Sequence, residues 1–326
     1  MTERTALIMW NPPWALSFVL PFGFLDFTVG QFLWLVVHVL LMLFAAQQLW
    51  KIYSKSAEKR WIPNVLAFVF IPSVYSLILG QITPLILFGL VAFVLLERKQ
   101  NRILIGVVLA LLSIKPHFIY GFWIVVLLWV WQRRDWQIAA SALIAGFIAA
   151  LLPVLFDPEI YSQYIKVYQS NDYLKPFDLP VPSLRNVLRF LFNIQGSYIE
   201  YSPTALGAVW LVYYWFRHHD KWTWSEHLPF VLLVSVTTSP YTWTFDQIVL
   251  LPAIIRVFSL IGDKQRAAMV IYGMFNAVYL GCRYLVPVDF WYFWMAPTFL
   301  VGYLVWQRQL ANSAVTITPL IAKIQT

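Results

Sequence analysis

The feature that most limits how this chain can fold is a succession of apolar, almost uncharged runs from one end to the other. A helix rising 1.5 Å per residue needs about 20 residues to cross a hydrocarbon core. Runs approaching that length lie near residues 29–50, 62–79, 84–96, 103–114, 118–131, 138–156, 204–216, 228–239, 247–260, 267–282 and 291–307. The shorter ones must lean on neighbouring helices or on long flanking side chains. With 60% hydrophobic and 12% charged residues and a mean hydropathy of +0.68, the chain lies far from the balance of a water-soluble domain. The expected fold class is all-α, a polytopic transmembrane helical bundle of about eleven spans.

Seventeen Trp and seventeen Tyr fit a protein with many membrane–water boundaries, where amphipathic rings settle at headgroup depth. The net charge of +8 is scattered in short clusters between the apolar runs rather than along one stripe. A nucleic-acid partner is therefore not expected. Alternating the sides of the eleven spans puts most Lys and Arg together, in the connections 51–60, 97–102, 133–136, 217–226 and 262–266 and in the tail. The positive-inside bias makes that side cytoplasmic and the chain a multi-pass cell-membrane protein.

Five regions follow. Residues 1–28 form an N-terminal segment: either 6–25 is a further span, or 14–25 is an interfacial helix starting at Pro12–Pro13. Residues 29–156 form one half of the bundle and 203–308 the other, with a cytoplasmic tail over 309–326. Between the halves, 157–202 is a long extracytoplasmic loop carrying mixed charge, Pro176, Pro180 and Pro182, and a short helix expected near 184–192. It is read either as a functional loop or as a solvated spacer. No secretory signal precedes the apolar runs. No parallel or inverted repeat is visible, which weighs against a secondary transporter.

Polar groups inside a bilayer are costly, so those that remain are candidates for function. They gather at the non-cytoplasmic ends of the runs. Lys115, beside Pro116 and His117, is a point charge suited to a phosphate or pyrophosphate, or a side chain snorkelling to the interface. His117 is a second donor at the same height, or an ordinary satisfied histidine. Asp246 sits where it would cap a helix N-terminus, or hydrogen-bond sugar hydroxyls while Tyr241 or Trp243 stacks on a pyranose face. Gln81 after Gly80 either closes a buried network or caps a turn. Asn171 and Asp172 are turn formers or acceptor ligands, and Ser183 and Asn186 belong to the same polar cluster of the long loop. Arg185 and Arg189, four apart, present a basic face suited to lipid headgroups.

The five His show no zinc spacing, and there is no P-loop and no dinucleotide fingerprint. No metal or cofactor is expected. The lone Cys282 cannot form an intrachain disulfide.

The Asn11–Pro12–Pro13 element, the Gly80–Gln81 turn, the Lys115–Pro116 turn after a helix containing Gly106, Ser183 with Asn186, and Ser239–Pro240 through Trp243 occur in a familiar order. From about Trp10 to Arg308 the chain resembles the bacterial polyprenol-phosphate-sugar-dependent enzymes of glycosyltransferase family 87, which have a GT-C fold. The resemblance implies a hexosyltransferase, with mannose the expected sugar, acting at the extracytoplasmic face with inversion at the anomeric carbon. The donor would be a polyprenyl-phosphate-linked sugar and the acceptor a cell-envelope glycan or glycolipid. Lys115 and His117 would hold the donor phosphate, and Gln81, Asn171, Ser183, Asn186, Tyr241 and Trp243 the sugar or acceptor.

The resemblance also implies a catalytic Asp in a first outer loop, ahead of the aromatic-Pro-Pro segment. This sequence reaches Trp10 almost at once, and Glu3 is its only acid upstream of Pro12. Three expectations stay open: a sequence truncated at its N-terminus, another acid such as Asp172 or Asp246 as base, or loss of catalysis. The alternative function is a non-catalytic membrane protein, such as a lipid-linked sugar transporter or a cell-envelope assembly subunit.

Overall fold

The computed structural model describes residues 10–54, 59–170, 175–194, 196 and 198–324, without the side chains of 263 and 311–324. Every regular element among the described residues is helical. In chain order the α-helices are α1 (Leu16–Gly23), α2 (Phe27–Tyr53), α3 (Ile62–Val69), α4 (Ile71–Ile78), α5 (Thr83–Arg98), α6 (Arg102–Leu112), α7 (Tyr120–Arg133) and α8 (Trp136–Val154). They continue as α9 (Ile160–Gln169), α10 (Leu184–Leu191), α11 (Ser202–His218), α12 (Trp224–Thr238), α13 (Leu251–Leu260), α14 (Gln265–Leu285) and α15 (Met295–Ile324).

Local chemistry sets many of these boundaries. Pro13 opens a 3-10 turn, Pro13–Ala15, that runs into α1. At eight residues α1 is about 12 Å long, too short to cross a hydrocarbon core, and it packs on α2 and α8. Asp26 caps α2 by accepting the Thr28 N–H at 3.0 Å, and Asn101 caps α6 by accepting that of Leu104 at 3.1 Å. The helix expected over 184–192 is present as α10, capped by Ser183.

Two expected runs are not single α-helices. The run 62–79 breaks at Phe70 into α3 and α4, because Pro72 has no N–H to donate to the Phe68 carbonyl and its ring crowds the preceding turn. The break leaves the Ile71 N–H without a helical acceptor, and Asn276 of α14 supplies one through Oδ1 at 3.0 Å. The run 247–260 starts as a 3-10 segment, Thr244–Leu250, and becomes α-helical only at α13, where Pro252 occupies the first turn.

The core lies among α2, α5, α7, α12 and α13. There Phe93, Phe122, Trp129 and Trp224 meet mostly edge to face, the arrangement that ring quadrupoles favour. Helices α6 and α8 approach so closely at Gly106 that a Cβ there would lie 2.0 Å from Ser141 Oγ and 2.6 Å from the Ala142 nitrogen. Small residues at such crossings let helix backbones meet. By length and composition, α2 and α8 are each apolar and long enough to cross a membrane. The outer face of α8 leaves Leu143, Ile144, Phe147, Ile148 and Leu151 exposed as one apolar strip.

Polar contacts collect at two ends of the helix array. At one, Lys59 Nζ donates to Gln265 Oε1 at 3.0 Å and Arg256 donates to the Glu226 carbonyl. At the other, the turns after α4, α6 and α12 come together, and the long loop reaches them through Phe177.

Candidate functional site

Three connections build this second end. The first is the turn after α4. Gly80 takes a left-handed φ of +58°, which glycine adopts without strain, and its carbonyl accepts the Trp34 indole N–H at 2.9 Å. This directs Gln81 inward and starts α5 at Thr83. The second is the stretch between α6 and α7, with Lys115, Pro116 and His117. The third is Ser239–Trp243, which leads into the 3-10 segment. Ser239 ties the last two together: its Oγ lies 3.3 Å from the His117 carbonyl and 2.7 Å from that of Tyr241.

At the centre, Lys115 Nζ sits 3.1 Å from Asp246 Oδ1. Thr83 Oγ1 donates to the same carboxylate oxygen at 3.0 Å, and the Trp243 N–H donates to Oδ2 at 3.1 Å. Asp246 therefore caps its own helical segment, the first of its two expected roles, and in addition pairs with Lys115, a contact that neither expected role included. Gln81 Oε1 lies 3.5 Å from the ammonium, and the Phe245 ring lies beneath it at 4.9 Å. Lys115 is 6% exposed and Asp246 fully buried. A charge pair removed from water holds its geometry only when hydrogen bonds complete it.

Aromatic side chains wall the cluster. The Tyr241 hydroxyl accepts the Trp243 indole N–H, His117 lies against Tyr241 with ring centres 5.2 Å apart, and Trp243 stacks on Phe245. Burial pulls the His117 ring down to about 4, reinforced by the Lys115 charge and opposed by the Asp246 carboxylate. The imidazole is thus neutral at pH 7. Burial pushes the Tyr241 phenol up, so it stays protonated.

Of the residues expected from sequence, Gln81, Lys115, His117, Tyr241, Trp243 and Asp246 meet in one cluster. Ser183 and Asn186 do not reach it. Ser183 caps α10, and the Asn186 amide donates to the Leu179 and Val181 carbonyls, so both serve to fold the loop. The loop touches the cluster through Phe177, 5.6 Å from Tyr241 between ring centres. Asn171 and Asp172 lie outside the described residues. Arg185 is not a headgroup contact, because it is buried and pairs with buried Glu200 at 3.1 Å. Arg189 reaches Asp178 at 3.0 Å.

Sequence reading missed Thr83, Thr244, Arg283 and Asp289. Thr83 follows Gln81 in the same turn. Arg283 Nη2 pairs with Asp289 Oδ1 at 2.5 Å, and Thr244 Oγ1 donates to that oxygen at 3.2 Å. The available signal was Arg283 itself, a cation at the end of the array away from the basic clusters.

Comparison with known proteins gives one match. The profile of glycosyltransferase family 87 fits residues 10–240, well over half of the chain. No curated protein and no solved structure matches it.

Proposed function

Because the chain belongs to glycosyltransferase family 87, we propose that it is a multi-pass membrane enzyme that transfers a hexose from a polyprenyl-phosphate donor to a cell-envelope glycan or glycolipid. The carrying observation is the buried Lys115–Asp246 pair ringed by Gln81, His117, Tyr241 and Trp243. Glycosyl transfer from a lipid phosphate leaves a phosphate anion, and the site must stabilise that charge as it develops. A preorganised ammonium in a water-poor setting does so strongly. Asp246, Thr83 and Gln81 hold Lys115 in place, and neutral His117 offers a ring N–H to a phosphate oxygen. Tyr241 and Trp243 supply the aromatic faces on which a pyranose packs.

Membrane embedding is supported by α2 and α8, by the exposed apolar strip of α8, and by basic residues gathered at the end opposite the site. An extracytoplasmic active face follows from that charge bias. Beside the Gly80 turn, a groove of about 420 Å³ between α2 and α4 is lined by Phe32, Leu35, Leu77 and Ile78 with Thr28 and Gln31 at its edge. An apolar lining with a few polar groups suits a lipid chain that delivers its headgroup to Lys115.

The test is transfer of labelled hexose from polyprenyl-phosphate-mannose, -glucose or -galactose to envelope acceptors by membrane vesicles carrying the protein. Transfer from one donor is expected, with Lys115→Ala losing it while the protein still accumulates. Absence of transfer from all three overturns the proposal, and a fully active Lys115→Ala removes Lys115 from the site.

A further inference from the structure

The long loop is built inside out for a segment that lies in water. In α10 the polar side chains Arg185 and Asn186 are buried, whereas Phe190, Leu191 and the following Phe192 are exposed. The same inversion recurs in the 3-10 turn Tyr198–Tyr201, where Glu200 is 6% exposed and Tyr198 96%. Arg185 pairs with Glu200 at 3.1 Å, so these two charges neutralise one another beneath the loop's surface. Large apolar side chains turned outward over a buried ion pair mark a surface made to meet an apolar partner.

The apolar surface does not end with the loop. Phe190 packs edge to face on Phe290, 5.5 Å between ring centres, in the turn between α14 and α15. That turn exposes Leu285, Val286, Val288 and Trp291, while its Asp289 is turned in to Arg283. From Leu285 the exposed surface continues along α14 through Val278, Met274 and Ile271, at spacings of seven, four and three residues that keep it on one helix face. A surface that starts on the side of a 21-residue helix and runs unbroken onto the loop meets one medium along its whole length. Around a multi-pass bundle that medium is the bilayer, and Trp291 and Tyr198 at the outer end are the residue types that settle at headgroup depth.

We propose that the exposed face of the long loop, formed by residues 190–192 and 198–199, docks together with the α14–α15 turn into the non-cytoplasmic leaflet of the bilayer. The partner is a lipid surface at the boundary between headgroups and acyl chains. The inference rests on the membrane reading above and goes beyond it, because it takes this part of the loop out of the aqueous phase.

Docking of this face bears on the Lys115 site through α10. Arg185 and Arg189 each donate to the Phe177 carbonyl at 2.8 Å, and the Phe177 ring rests on Tyr241. A helix held by the leaflet on one side thus grips, with its two arginines on the other, the residue that touches the cluster. The loop is thereby fixed relative to both the membrane and the site.

The experiment measures the depth of nitroxide labels on the full chain in vesicles of phosphatidylcholine and phosphatidylglycerol, from collisions with oxygen against those with a water-soluble nickel chelate. The exposed native Cys282, four residues past Val278 on α14, takes a label on the helix strip without any substitution. The loop is labelled at Tyr198→Cys in a Cys282→Ser chain, with Ile199→Cys in its place if that variant does not accumulate. Asp220→Cys, at an 88% exposed side chain, gives the water reference. The loop label is expected about 5–10 Å below the lipid phosphates, rich in oxygen collisions and shielded from nickel. A loop label as open to nickel as that at residue 220, with the Cys282 label in lipid, overturns this inference alone. Both labels open to nickel overturns the membrane reading as well. A loop label shielded from nickel but broadened by a neighbouring label, and sharpened when unlabelled protein is added, means that a second copy covers the face and overturns the proposal.

Discussion

Lys115 and Asp246, 131 residues apart in sequence, form a buried ion pair with Nζ 3.1 Å from Oδ1. The pair joins the turn after α6 to the 3-10 segment before α13, and Thr83 at the start of α5 bonds to the same oxygen. One contact thus fixes three separate connections at one end of the helix array. In the proposed transfer the same ammonium would meet the donor phosphate.

Removing either partner alone leaves the other charged and buried, which costs about 3–5 kcal/mol. Asp246→Leu and Lys115→Met should each lower the unfolding temperature in detergent sharply. The double variant should regain much of that stability, since a buried pair replaced by apolar groups of similar volume is often neutral. Transfer should stay lost in all three. A double variant that is stable and active would show that the pair serves folding only.

The α6–α8 crossing makes an independent claim on stability. Gly106→Ala places a methyl 2.0 Å from Ser141 Oγ and 2.6 Å from backbone, so the helices must separate. Overpacking of this kind costs about 1–3 kcal/mol. Gly146→Ala, on α8 with nothing within 4 Å of the added carbon, is the control and should be neutral or slightly stabilising. Thermal unfolding of the two variants side by side checks this, and equal behaviour would contradict the close approach.

Helix positions were legible in the sequence because apolar length is a strong signal, and 84–96, 103–114 and 138–156 correspond to α5, α6 and α8. Helix continuity was not. Pro72 sits inside an unbroken apolar run, and the break it forces is tolerated because Asn276, 205 residues away, accepts the freed Ile71 N–H. The site was legible where its residues share a turn, as with Gln81, Lys115 and His117, or with Tyr241, Trp243 and Asp246. Asp289 escaped because it joins the cluster only through Thr244, 45 residues distant, in a contact that no local pattern encodes. Ser183 and Asn186 misled for the opposite reason: capping and loop closure use the same polar side chains as ligand binding.

His117 provides a pH test of the site's burial. Its ring is pulled down to about 4 in the folded protein, chiefly by burial, whereas an unfolded histidine titrates near 6.5. Above about 6.5 both states are neutral and the ring contributes no pH dependence. As pH falls from about 6.5 toward 4, the unfolded state binds a proton that the folded state does not, so stability declines across that window. Below about 4 both states are protonated and the decline ends. In His117→Phe the aromatic contact with Tyr241 is kept and the titration removed. Its unfolding temperature should therefore fall less than that of wild type between pH 6.5 and 4, with the two curves parallel above 7. Curves parallel over the whole range would mean that the ring is solvated, and it would then face water rather than the wall formed by Tyr241.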